Sequence, residues 1–319
     1  MLRNGVIEAD WRRLSWTGEV SAALAIPRVH FLYLHHVFAD EVEGFRATLR
    51  EVARTHEFVT YSRAVELVLA GNVARPTACL SFDDGLMTTI PASRVMDELG
   101  IKGCFFVCPS IVGSTNRELV RRFATGRLHY PAMDVLGWSD CEDLLSRGHE
   151  IGSHTYTHPN MGTVSDDQAL DELLYSRDEL IRRLGGVRHF AWPSGRWSNF
   201  SAVAARGAFD LGYASVASAV RGCHRPRGSA VDPREVCLRR DHIMGSWPVH
   251  HNLYFMVRSV RRSPPTDFGW PASWRPIVRR AAPPPTKFMT DAEHVVLRHA
   301  GSRASRTDAA MSGAVDARP

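Results

Sequence analysis

Lysine is almost missing from this chain. Only Lys102 and Lys287 occur in 319 residues, so the formal net charge of +5 rests on arginine. Many arginines fall late and in pairs, Arg239-Arg240, Arg261-Arg262 and Arg279-Arg280. They lack the interleaved aromatics or the continuous basic helix of a nucleic-acid surface, so no nucleic-acid partner is expected. Cys79, Cys104, Cys108, Cys141, Cys223 and Cys237 form no Cys-x-x-Cys pair. That argues against a disulfide framework and for a reducing compartment. No run of about 18 apolar residues occurs, which excludes a membrane-spanning helix. The opening Met1-Leu-Arg-Asn-Gly-Val-Ile-Glu-Ala-Asp10 has no signal-peptide hydrophobic core, so a cytoplasmic location is expected. Nothing in the sequence speaks to oligomeric state.

What remains is a chain 44% hydrophobic, enough for one large domain or two small ones. Residues 1–27 show no clear period and are set aside as an N-terminal extension. From residue 28 to 262, short apolar runs alternate with amphipathic stretches. Strands are expected at 28–34, 77–82, 103–108, 149–153, 188–192, 213–216 and 236–243. Helices between them are marked by stops such as Gly71 and by the capping box Ser165-Asp-Asp-Gln168. About seven strands alternating with helices imply a parallel sheet with right-handed crossovers. A barrel fits better than an open sheet. There is no Gly-x-Gly-x-x-Gly turn, and polar residues gather just after several different strands, where a barrel keeps its chemistry. Residues 110–131 are longer than an ordinary connection and make a candidate substrate loop. From 263 to 319 the composition turns to Pro, Arg, Ala and Ser, as in a largely disordered tail; one short helix is possible at 290–299.

The chemistry lies in two clusters. The strand at 77–82 ends in Asp83-Asp84-Gly85, and buried acids are costly unless paired or bound to a metal. Downstream stands Glu150-Ile-Gly-Ser-His154-Thr-Tyr-Thr-His158-Pro159. One carboxylate with two imidazoles is a metal set that leaves positions open for water and substrate. The second acid is then free to act as a base. His149-Glu150-Ile-Gly-Ser-His154 is not a zincin motif, because its spacing is wrong and Gly152 spoils the helix. The same two-histidine, one-carboxylate set also suits a non-haem iron oxygenase. The placement of the acids ahead of the histidine pair on an alternating chain speaks against that.

These residues resemble a family. Ser81-Phe-Asp-Asp-Gly85 is similar to the Thr-Phe-Asp-Asp-Gly motif of polysaccharide deacetylases (the NodB homology domain, carbohydrate esterase family 4). The His154/His158 stretch is similar to their His-Ser/Thr-x-x-His motif, and Phe190-Ala-Trp-Pro-Ser-Gly195 to their third motif. Leu32-Tyr-Leu-His-His-Val37 resembles the strand that often opens such domains. The resemblance covers about residues 28–260 and implies a distorted (β/α)7 barrel of the NodB/glycoside hydrolase–deacetylase type. It implies Asp83 as general base, and Asp84, His154 and His158 as ligands of Zn2+ or of another divalent metal such as Co2+, Mn2+ or Ni2+. It implies loss of an acetyl group from an N-acetylated amino sugar in a glycan or glycolipid precursor. The Ser194 amide would donate to the oxyanion, and Pro193, Trp192, His35 and His36 would line the substrate site. Two departures stand out. Ala191 occupies the position where an arginine often orients the base. The general acid's Leu-x-x-His motif has only a loose counterpart, Leu238-Arg-Arg-Asp-His242, in which His242 is the expected acid and Arg240 the other residue that could align. Alternatives within the fold are a small-amide deformylase or amidohydrolase and an inactive glycan-binding barrel.

Overall fold

The computed structural model describes residues 2–280. Two helices open the chain, α1 (Leu2–Trp16) and α2 (Glu19–Leu24). The order is then β1 (Arg28–Leu34), α3 (Val42–Ala53), β2 (Glu57–Phe58), α4 (Tyr61–Ala70), β3 (Pro76–Phe82), α5 (Thr89–Glu98) and β4 (Gly103–Val107). After it come α6 (Arg117–Arg122), α7 (Trp138–Ser146), β5 (Glu150–Ser153), α8 (Asp166–Leu184), β6 (His189–Ala191), α9 (Ala202–Asp210) and β7 (Ser215–Ala217). The series ends with β8 (Cys237–Leu238), β9 (Arg240–His242), α10 (Val249–Arg262) and α11 (Arg275–Val278).

The sheet runs β8-β7-β6-β5-β4-β3-β1-β9, every pairing parallel, with β2 beside β3. Its two edges are consecutive pieces of one chain segment. Cys237 and Leu238 pair with Val216 and Ala217 of β7, whereas Arg240 to His242 pair with Phe31 to Tyr33 of β1. The last expected strand therefore joins the sheet's edges, which is the (β/α)7 barrel expected from sequence.

Side-chain alternation along the strands separates two environments. Val29, Phe31, Cys79, Cys104, Phe106, Ala191, Ala217 and Leu238 meet inside the barrel. Their neighbours Leu32, Leu80, Phe82 and Phe105 pack outward under helices, as do Phe190, Trp192, Val216 and Cys237 on the other side. Helix α4 adds Tyr61, Ala64, Val65 and Val68 to the inner cluster and closes the barrel's amino end. It starts on Thr60, whose hydroxyl accepts from the Arg63 amide, and stops at Gly71 in the left-handed region (φ 71°). All six cysteines are free and buried.

Two regions differ from expectation. The N-terminal extension, which shows no clear period in sequence, carries helices over residues 2–24. Ile7 and Leu14, with the half-buried Trp11, put one stripe of α1 against Tyr254 and Val257 of α10. Arg28 fastens this hairpin by donating to the carbonyls of Ala23, Leu24 and Ile26, which include the end of α2. At the other end, residues 263–280 pack on the barrel rather than joining the expected tail. Trp270 and Val278 are buried beside α9, and the Trp270 indole donates to the Arg234 carbonyl. The short helix expected at 290–299 lies outside the described residues.

Candidate active site

The barrel's carboxyl end gathers the predicted residues. Asp83 and Asp84 follow β3, His154 follows β5, and His35 follows β1. Asp84 Oδ1 stands 3.3 Å from His154 Nε2 and 3.1 Å from His158 Nε2. These three ligand atoms lie within 4.8 Å of one another, and all three residues are buried.

The backbone is bent to achieve this. Asp84 (φ 75°), Thr155 (φ 68°) and His158 (φ 60°) all occupy the left-handed region, which costs about 1–3 kcal/mol per non-glycine residue and persists where surrounding structure enforces it. Glu172 of α8 supplies part of that enforcement. It accepts from the Tyr156 and Thr157 amides (2.8 and 2.7 Å) and from the Thr157 hydroxyl (2.6 Å), pinning the loop between the two histidines. Nothing in the sequence marked Glu172; it reads as one more acid on a polar helix.

Polar bookkeeping shows what the trio needs. His154 Nδ1 lies 2.7 Å from the Ala191 carbonyl, which can only accept, so Nδ1 carries the proton. A neutral His154 then turns a lone pair on Nε2 toward a carboxylate oxygen. Asp84 Oδ1 is buried and has no hydrogen-bond partner of good geometry. A cation between them, or a proton on the ring, resolves that opposition. Burial alone would raise Asp84's pKa, but the two imidazoles overcome it and hold the carboxyl well below its usual range. His154 shifts upward: the Asp83 and Asp84 charges outweigh burial. The donor set and its span fit a divalent metal of the zinc class.

Asp83 is held differently. Arg240 grips it bidentately, Nη1 to Oδ1 at 2.7 Å and Nη2 to Oδ2 at 2.8 Å. The guanidinium is fully buried inside the barrel. Its Nε donates to the Ser218 carbonyl, and it lies 4.5 Å from the Tyr33 ring and 5.4 Å from that of Phe106. Burial pushes Asp83 upward, yet Arg240, His154 and His35 together bring its pKa below the usual value, so it is ionised at neutral pH. The arginine missing at Ala191 is thus matched by one from β9.

The remaining predicted residues divide. His35 faces the two acids, and burial lowers its pKa in spite of them. Tyr130, from the expected substrate loop, stands over both imidazoles, 6.2 Å from His35 and 5.2 Å from His36. His242 lies behind His35, ring to ring at 5.3 Å, and burial pushes it down to about 3. Ser194 is exposed on a left-handed turn after β6 (φ 61°), beside buried Pro193. Trp192 must be corrected. Ala191 points into the barrel, so the next residue points out; the Trp192 ring is wholly buried and stacked on Phe200 at 4.5 Å, where no substrate reaches it. A surface cleft of about 540 Å³ is lined by Met87, Ser114, Arg117, Arg121 and Asp134 among others and includes none of the acid–imidazole cluster. Chemistry, rather than this cleft, locates the site.

Comparison with known proteins agrees. Residues 70–216, which carry both the acid pair and the histidine pair, match the model of the polysaccharide deacetylase family. Over that stretch the chain is similar to the family. A stretch of 43 residues is 37% identical to a peptidoglycan-N-acetylglucosamine deacetylase of Bacillus cereus, covering 14% of this chain and only 15% of that relative. Among solved structures, the Streptococcus pyogenes deacetylase PplD in complex with acetate superposes with a TM-score of 0.57 at 17% identity, over 73% of this chain and 98% of that one. IcaB from Ammonifex degensii gives 0.58 at 17%, over 72% and 97%. At such identities the structural likeness establishes the barrel fold and nothing finer.

Proposed function

We propose that this barrel is a divalent-metal hydrolase removing the acetyl group from an N-acetylated amino sugar in a cytoplasmic glycan or glycolipid precursor. The observation that carries the reading is the Asp84–His154–His158 trio beside an ionised, arginine-clamped Asp83. The relative named for N-acetylglucosamine deacetylation favours an amino sugar, and six free buried thiols suit a reducing compartment.

Asp84, His154 and His158 would hold the ion, which when bound supplies Lewis-acid polarisation of the acetyl carbonyl and a more acidic water. Asp83 accepts the proton of the attacking water as the new C–O bond forms at the carbonyl carbon. Arg240 fixes the carboxylate so that both oxygens keep their direction. The Ser194 amide is the chain's donor toward the charge developing on the carbonyl oxygen. As the C–N bond breaks, the amine nitrogen takes the proton back from Asp83, leaving acetate and a free amine. His242, held neutral by burial, serves as a pocket wall with His35 and Tyr130 rather than as a cationic acid.

The test is release of acetate from chito-oligosaccharides and nucleotide-linked amino sugars by zinc-loaded protein, before and after chelation. Chelator-sensitive acetate release supports the reading. Formate release from small amides would move the substrate to another class, and metal retention without any hydrolysis would mark an inactive glycan-binding barrel.

A further inference from the structure

A second carboxylate–imidazole trio lies where the N-terminal helix meets α10. Glu8 Oε1 is 2.6 Å from His250 Nε2 and 3.1 Å from His251 Nε2, and the three ligand atoms lie within 4.8 Å of one another. This is the donor set of the active-site trio over the same span. Bonds of about 2.0–2.2 Å to a tetrahedral ion space its ligands about 3.3 Å apart, so the observed separations need only a small outward shift. Neighbouring histidines on a helix ordinarily diverge, but these rings stand edge to face, 4.6 Å apart at 83°, and both Nε2 atoms converge on one oxygen. His251 is buried, whereas Glu8 and His250 keep 39% and 31% of their side chains exposed. An ion can therefore enter and keep water in a further position.

We propose that Glu8, His250 and His251 form a second, structural binding site for a borderline divalent cation such as zinc. The set joins two elements far apart in sequence. Its carboxylate sits at the amino end of α10, where the helix dipole favours an anion, and the apolar seam of Ile7, Leu14, Tyr254 and Val257 runs on from it. The seam's far end is tied by the Arg261–Glu19 ion pair. An ion here clamps α1 onto α10. It also braces the chain just after β9, since Trp247 packs 6.0 Å from His242. The proposal does not rest on deacetylase activity.

Full-length protein stripped with chelator and titrated with zinc chloride tests it, with metal per chain counted by mass spectrometry. Two equivalents are expected for the wild type. One is expected for Glu8→Gln and for His250→Ala/His251→Ala, with acetate release unchanged. One is also expected for Asp84→Asn/His154→Ala, and adding zinc to that variant should slow amide exchange across α1. Glu8→Gln should weaken the second site by more than the roughly 10–100-fold that loss of an outer-shell partner costs. An Asp84→Asn/His154→Ala variant that binds no zinc, or a Glu8→Gln chain that binds as many equivalents as the wild type with undiminished affinity, overturns the proposal.

Discussion

At the barrel's amino end, Glu150, Ser62, His189 and Ser215 form a network with the same ingredients as the carboxyl end. Glu150 accepts from the Ser62 amide at 2.9 Å and from its hydroxyl; Ser62 Oγ lies 2.8 Å from His189 Nε2, and His189 Nδ1 lies 2.9 Å from Ser215 Oγ. Every polar atom of the imidazole and the carboxylate has a partner, and none of the four residues has a left-handed backbone. At the carboxyl end Asp84 Oδ1 lacks a partner, and three residues of the cluster and its loop are left-handed. A satisfied network stabilises a fold, whereas an unsatisfied and strained one needs something from outside. The difference separates glue from chemistry even though acid, histidine and hydroxyl occur at both ends, and it follows the usual division of a barrel into stabilising and reacting faces.

The sharpest way to break this comparison is to change one carboxylate at each end. Asp83→Asn should lower acetate release about 10²–10⁴-fold, the usual scale for a proton-transfer group, while zinc added to the protein should still bind at the Asp84 trio. Loss of that zinc would mean the two aspartates have exchanged roles. Glu150→Gln should leave turnover near wild type. Arg240→Met comes next. It strands the Asp83 carboxylate in the barrel interior, so stability should fall by about 3–5 kcal/mol in urea melts. Double substitution with Asp83→Leu should recover much of that loss, because no buried charge then remains. Failure of the double variant to recover would show that Arg240 matters through its packing on Tyr33 and Phe106.

Arg240 also shows where sequence reading stops. The seven main strands and the four residues of the acid and histidine pairs were legible, because an apolar run closed by Asp-Asp-Gly, or by His and Pro, is a local signal. Which way Arg240 points is not local. It depends on β9 pairing with Phe31 and Leu32, about 200 residues earlier, in a barrel that the same segment joins at both edges. The inward direction of Ala191, and so the burial of Trp192, follows from the same register. Helix α1 was missed because only Ile7, Trp11 and Leu14 mark its stripe among polar residues, and its partner face lies on α10. Trp270 and Val278 are isolated apolar residues in a proline-rich stretch, and only the groove beside α9 reveals their use.

Stability at the amino end carries the next prediction. Glu150→Gln should cost about 1–3 kcal/mol, since the Ser62 amide and hydroxyl lose a charged acceptor. Measurement of urea midpoints together with zinc content settles it: a midpoint shift with unchanged zinc is expected, and a drop in zinc would show that the two ends are not independent.

The smallest effect is a pH slope at the same end. His149 Nδ1 accepts from the Gly103 amide at 3.1 Å, which requires that nitrogen to be unprotonated, and burial pushes the ring's pKa down to about 4 despite Asp97 nearby. Unfolded, the ring returns to its ordinary value of 6.5. The unfolded chain therefore binds more protons between these values. The stabilisation is complete above pH 6.5 and is lost as pH falls toward 4, by up to about 1.4 kcal/mol per pH unit. His149→Gln removes the titration and should flatten the fall in urea midpoint between pH 6.5 and 5 relative to wild type. Equal slopes in the two proteins would mean that the ring titrates alike in the folded and unfolded chain, and that this end of the barrel yields to acid through other groups.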